Sequence, residues 1–144
     1  MSMRDIPEAF LLKLASDSQL QTLLGIGRNG DDPRIYLYYN SDALLDEEMG
    51  LFGYITYAQL AAPEQTGGTE GPVYSFVIWA RDPDITEQVR DRLVNLLNKK
   101  ALVTTVRTVY GKKVQENDSY QEQPKFAGKT LHFRFGYLSL SEVA

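Results

Sequence analysis

Apolar and polar positions change period several times along this chain, and the changes mark its elements. The clearest run is Tyr74 to Tyr110. Tyr74-Ser75-Phe76-Val77-Ile78-Trp79 is aromatic and β-branched with apolar residues on both faces, which predicts an inner strand of a sheet. Asp82-Pro83-Asp84-Ile85-Thr86-Glu87 then predicts a helix start: Asp82 caps a helix with Pro83 in its first position, or Asp84 with Glu87 caps it in a second register. From there Ile85, Val89, Leu93, Leu96 and Leu97 recur at helical spacing, and Gln88, Arg90, Asp91, Arg92 and Asn95 fill most of the opposite face. Lys99 and Lys100 close the helix at the end where its dipole favours cations. Leu102 to Tyr110, rich in Val and Thr, predicts the next strand.

The same reading extends to both sides. Asp5-Ile6-Pro7-Glu8 opens a helix through Phe10, Leu11, Leu14 and Ala15. Ser16-Asp17-Ser18 is a break and a fresh cap before Leu20, Leu23 and Leu24, and Gly25 ends that turn; two short helices or one bent helix both fit. Gly25 to Pro33 is a loop by composition. Arg34 to Asn40 predicts a strand with Ile35, Leu37 and Tyr39 on one side and Tyr36 and Tyr38 on the other. Asp42 to Met49 predicts a solvated excursion or a helical turn, and Gly53 to Leu60 predicts a strand with Tyr54 and Thr56 opposite Ile55 and Tyr57. Ala61 to Pro72, with Gly67-Gly68 and Gly71, is a long connection. Gly111 to Lys129 is dense in polar residues, with Val114, Tyr120 and Phe126 as its apolar exceptions, and is expected to be loosely ordered in the isolated chain. The closing strand, Thr130 to Leu138, alternates: Leu131, Phe133, Phe135 and Tyr137 face one way, His132 and Arg134 the other. No internal repeat is visible. The pattern therefore predicts an α+β fold over residues 1–144 as one domain, with a mainly antiparallel sheet, two principal helices and long loops.

Composition narrows the function classes. At 144 residues and 43% hydrophobic the chain suits one domain with a real core. No stretch has the apolar length of a membrane span, and Met1-Ser2-Met3-Arg4-Asp5 lacks the regions of a signal peptide, so residence in a cytoplasm is expected. The absence of cysteine removes disulfides, thiol nucleophiles and thiolate metal sites. A net charge of −4 and a pI near 5.0 argue against a protein that works by gripping phosphates.

Signals for chemistry fail one after another. Gly25-Ile26-Gly27-Arg28-Asn29-Gly30 matches the letters of a dinucleotide fingerprint, but it follows a helix and precedes a strand, so it reads as a helix cap and a turn. His132 is the single histidine, which excludes a multi-imidazole zinc site and leaves one possible base for a hydrolytic triad. Asp82, Asp84 and Glu87 stand at the offsets that capping requires. Asp46-Glu47-Glu48 is the composition of a solvated face, and Lys99-Lys100 and Lys112-Lys113 are too short for a nucleic-acid signature. No catalytic residue, cofactor or metal is expected. Nine tyrosines are more amphipathic area than a core of this size needs, and interfaces are enriched in them. Tyr36, Tyr38, Tyr54, Tyr57, Tyr120 and Phe126 are the candidate contact residues of an assembly; that the tyrosines finish the two sides of a monomer's sheet is the other reading.

Three stretches carry a resemblance to a known family. Leu11-Leu12-Lys13-Leu14-Ala15-Ser16-Asp17-Ser18-Gln19-Leu20-Gln21-Thr22-Leu23-Leu24-Gly25, the strand Val77-Ile78-Trp79-Ala80-Arg81 with the amphipathic helix after it, and His132-Phe133-Arg134-Phe135 resemble, in order and kind, the tail-terminator or tail-completion proteins of long-tailed bacteriophages and prophages. The resemblance spans nearly the whole chain, and departs from the family in the acidic segment Asn40 to Met49 and the Gly-rich segment Thr66 to Gly71. It implies a ring, commonly of six copies, that caps the head-proximal end of the tail tube, ends tube polymerisation and presents a surface to the head connector. The implied partners are further copies of the chain, the tail tube protein and the connector protein, with DNA passing unbound and no membrane contact; the implied locations are the virion and, during assembly, the host cytoplasm. In such a ring, an acidic lumen lined by Asp46, Glu47 and Glu48 would let DNA slide. Another head-to-tail connector component is an alternative of the same kind. A small enzyme or ligand-binding domain with a pocket near His132 and Arg134 is the alternative of a different class.

Overall fold

The computed structural model describes residues 5–25, 34–37, 53–61, 71–104, 108–121 and 126–137. Two short helices come first, α1 (Ile6–Ala15) and α2 (Ser18–Leu24), each opened by an aspartate. The carboxylate of Asp5 accepts the Glu8 N–H and that of Asp17 accepts the Leu20 N–H, satisfying donors that a helix start leaves orphaned. Gly25 ends α2 in the left-handed region at φ 67°, where glycine carries no Cβ penalty. The break at Ser16 and Asp17 therefore makes two helices.

Strands β1 (Ile35–Leu37), β2 (Tyr54–Ala61) and β3 (Val73–Ala80) follow. Helix α3 (Pro83–Leu97) starts at the Asp82 cap, whose carboxylate accepts the Asp84 N–H, so the first of the two registers is used. Then come β4 (Ala101–Val103), β5 (Thr108–Gln121) and β6 (Phe126–Tyr137). One six-stranded sheet results, in the order β1-β2-β3-β6-β5-β4. Its β1–β2 pair is parallel and the other four are antiparallel. The fold is α+β, as the pattern predicts, with three helices among the described residues where two principal ones are expected.

Two expectations are corrected. Leu102 to Tyr110 is not one strand: Ala101, Leu102 and Val103 pair back onto Tyr110, Val109 and Thr108. Gly111 to Lys129 is not loosely ordered over its described part, because β5 runs to Gln121 and β6 begins at Phe126, paired through twelve register positions. Its polar composition reflects an exposed hairpin, held by ladder hydrogen bonds and ion pairs rather than by apolar burial. The predicted excursion Asp42 to Met49 lies outside the described residues, as do most of the Ala61 to Pro72 connection and positions 38–40 of the first strand.

The core lies between the three helices and one face of the sheet. Ile55, Tyr74, Phe76, Ile78, Leu131, Phe133, Phe135 and Val109 supply the sheet side; Phe10, Leu14, Leu20, Leu24, Val89, Leu93 and Leu97 supply the helix side. Phe10 is fully buried and meets Tyr57, Tyr74, Phe76 and Phe135 with ring centroids 4.9–5.6 Å apart. The first three contacts are edge-to-face and the one with Phe135 is stacked, and such ring pairs add to the area term that drives the layer together. At the far end of α3, Lys99 takes a positive φ of 58° and the chain reverses into β4. Gly111 approaches so closely there that a Cβ on it would stand 2.3 Å from the Leu97 carbonyl oxygen.

Candidate interaction surfaces

The predicted contact residues separate into groups. Tyr54 is fully buried and its ring centroid lies 5.9 Å from that of Tyr36, so its place as an interface candidate is corrected. Alternation assigns it to a face of β2 but cannot tell that the face is covered there. Tyr57 points to the helix side and packs edge-on against Phe10 at 5.3 Å; burial, then the charge of Asp5, raises its phenol above the ordinary value. Only part of its surface stays available. Tyr36 is half-buried on the other face. Tyr120 and Phe126 belong to the β5–β6 hairpin, where Tyr120 pairs with Ala127 and Phe126 with Gln121. Tyr38, Asp46, Glu47 and Glu48 lie outside the described residues.

His132 and Arg134 stand on the sheet face away from the helices, each half-buried. His132 is flanked in the ladder by Ser75 and Gln115, and the Arg134 guanidinium donates to the Gly71 carbonyl at 3.1 Å. A serine opposite a histidine is two-thirds of a hydrolytic triad. The described carboxylates of the neighbouring strands, Glu116 and Asp118, point to the opposite side toward α3, so none of them orients the imidazole. An open groove of about 590 Å³ lies elsewhere, between α2 and α3, with amide and hydroxyl groups of Gln19, Thr22, Gln88 and Asn95 around Leu23. Ser18, Asp91 and Arg92 complete its lining, which holds no histidine. Among the described residues no group of three or more His, Cys, Asp or Glu is arranged to hold a metal ion.

Sequence reasoning missed a charged cluster on the helix side of the hairpin. Lys129 is 8% exposed, and its ammonium lies 2.6 Å from Glu87, 3.3 Å from Asp118 and 3.6 Å from Glu116. Hydrogen bonding to Glu87 first, against the cost of burial, raises the Lys129 pKa. Glu116 also accepts from Arg90 Nε and Lys113 Nζ, both at 3.0 Å. Burial pushes its carboxyl up, but the bonds and charges of Arg90 and Lys113 outweigh that and bring it to about 2. These ion pairs bind the start of α3 to a hairpin that has few apolar residues. A second anchor joins α3 to α2: Arg92 holds Asp17 bidentately at 2.6 and 2.8 Å, and that guanidinium is the main reason the Asp17 pKa falls. The pairings Lys129–Glu87 and Arg92–Asp17 span 42 and 75 positions, so no local spacing announces them.

Among the described residues, the two ends of the sheet are left open in different ways. Three-residue β1 forms one edge. At the other, β4 pairs with β5 through Thr108 to Tyr110, Gly111 exchanges hydrogen bonds with Lys99 and Lys100, and the Lys113 N–H donates to Asn98 Oδ1 at 2.9 Å. A bulge follows between Lys113 and Gln115. Beyond it no described strand covers β5.

The architecture is that of an α+β protein built on a mixed six-stranded sheet with its helices on one face. The chain matches no protein-family model and no curated protein. Among solved structures it is similar to a chain from the virion of a native gene transfer agent (GTA) particle, with a TM-score of 0.61 and 17% identity over 92% of this chain and 93% of that chain. At that identity the likeness is one of fold.

Proposed function

We propose that this chain is a structural component of a phage-like virion, and that within it copies form the ring, six-membered by the family pattern, that caps the head-proximal end of the tail tube. The observation that carries the broader part is the near-complete overlap in fold with a chain of a gene transfer agent virion, on both chains' lengths. The resemblance of Leu11 to Gly25, Val77 to Leu97 and His132 to Phe135 to tail terminators supports the narrower part.

In this reading the chain contacts its own copies, the tail tube protein and the connector protein, while DNA passes through the ring. A closed ring needs a heterologous interface, in which one patch of a copy meets a different patch of the next. Tyr36, Tyr38, Tyr120 and Phe126 are its proposed aromatic contributors, and Asp46, Glu47 and Glu48 its proposed lumen carboxylates. The test is imaging of tails assembled with and without this protein. Loss of a terminator leaves overlong, headless tubes, and normal-length joined particles in the deletion refute the proposal. Replacing Asp46, Glu47 and Glu48 with lysine is expected to slow DNA passage; unchanged passage removes them from the lumen.

A further inference from the structure

Beyond the bulge, β5 presents a row of backbone groups that no described strand covers. The Phe135 N–H donates to the Pro72 carbonyl, so the β6 residues that share its parity turn their backbone groups toward β3. Asn117 and Gln115, paired with Thr130 and His132, therefore turn toward β6. Glu116 and Asp118, paired with Leu131 and Lys129, turn outward, and Tyr120 follows by alternation. At the opposite end of the sheet, the Ile55 N–H donates to the Arg34 carbonyl, which turns Tyr36 inward and leaves Ile35 and Leu37 facing out. An uncovered strand edge is a template for another strand.

Strand directions say which strand fits. β1 and β2 run together, β3 runs against them, β6 against β3 and β5 against β6. β5 is thus antiparallel to β1 of the same chain. If a second copy is brought to the β5 edge by rotation about an axis along the strands, its β1 arrives antiparallel to β5, with helices on the same side of a continuous sheet. Each edge also exposes an aliphatic side chain, Leu37 at 55% and Val114 at 46%.

We infer that copies of this chain join by pairing β1 of one with the Glu116–Tyr120 edge of β5 in the next, so that successive sheets merge and the repeated rotation closes them into a barrel. The partner is a second copy, the contact is heterologous, and closure removes both edges at once. The inference rests on the ring reading and specifies its interface. β4 does not obstruct the contact, because its described pairing with β5 ends at Tyr110, before the bulge.

The test uses proline, which removes one N–H donor and is tolerated where that donor faces outward. Asp118→Pro removes the outward N–H, while Asp118→Ala keeps it and removes only the ion pair with Lys129. Sedimentation of the full chain should show an assembled ring for wild type and for Asp118→Ala, and at least about a tenfold higher assembly concentration for Asp118→Pro, a shift of about 1.4 kcal/mol. Hydrogen exchange on the unmodified protein gives the second reading. The amides of Glu116 and Asp118 should be protected in the ring and exchange freely in the dissociated chain, and this holds whether or not the proline variant folds. A wild type that stays monomeric at every concentration overturns the ring reading and the edge contact together. A wild type that assembles while a folded Asp118→Pro assembles equally well, or while these amides exchange freely in the ring, overturns the edge contact alone.

Discussion

Replacing Glu116 with glutamine tests whether ion pairing, rather than apolar burial, holds the hairpin to α3. Glu116 sits among Arg90, Lys113 and Lys129, and its pKa falls from the ordinary 4.5 to about 2. At about 1.36 kcal/mol per pH unit this corresponds to roughly 3 kcal/mol of preference for the charged form in the folded state. The side chain is 25% exposed, and solvent screening at that depth reduces the figure to about 1–2 kcal/mol. Glu116→Gln preserves size and one hydrogen-bonding oxygen but removes the charge. Its folded-state pKa is depressed, so the contribution is complete above the unfolded value of 4.5 and is lost as pH falls through about 2. Urea unfolding of wild type and Glu116→Gln should therefore differ by about 1–2 kcal/mol at pH 7, by about half as much near pH 3, and by less in 1 M salt. A deficit that is the same at pH 3 as at pH 7, or no deficit at pH 7, would refute the reasoning.

Substitutions at three further positions probe separate parts of the fold. Phe10→Ala opens a cavity among Tyr57, Tyr74, Phe76 and Phe135 and should cost about 3–5 kcal/mol, seen as a large drop in the urea midpoint; Phe10→Leu should cost well under half of that. Gly111→Ala drives a methyl group toward the Leu97 carbonyl, 2.3 Å away, so the turn after α3 must shift; a thermal melt should show a loss of at least about 2 kcal/mol. Asp17→Ala removes the cap of α2 and the partner of Arg92, and the cap alone is worth about 1 kcal/mol. Asp17→Asn should be milder because an amide still caps, and because the Asp17 pKa is depressed, the wild-type advantage over Asn should fade as pH drops below 3.8.

Local structure was largely legible in the sequence because its causes are local. Asp5, Asp17 and Asp82 each cap a helix three or fewer residues away, Gly25 supplies its left-handed stop, and the periods of Ile85 to Leu97 and Leu131 to Phe135 fix a helix face and a strand face. An inner strand at Tyr74 to Trp79 follows from apolar residues on both sides. The α+β class and the mainly antiparallel sheet rest on these.

What the chain does with its polar stretches was settled by distance in space. A run such as Lys112 to Ser119 looks loose when hydrophobicity is the measure, yet each carboxylate of Glu116 and Asp118 meets a cation on β6, and Glu116 meets another on α3; such pairing depends on which residues the fold brings within 4 Å. The same holds for Tyr54, whose sequence context is that of an exposed alternate position and whose surroundings bury it. Neither the parallel entry of β1 beside β2 nor the edge of β5 that no described strand covers has a local signal, since strand order depends on which partners win across the whole sheet. The sequence by itself determined where helices and strands begin, end and turn their faces, through caps and periodicity; tertiary structure alone decided which strands became neighbours, which charges were paired and which edge was left open, because those are contacts between residues far apart along the chain.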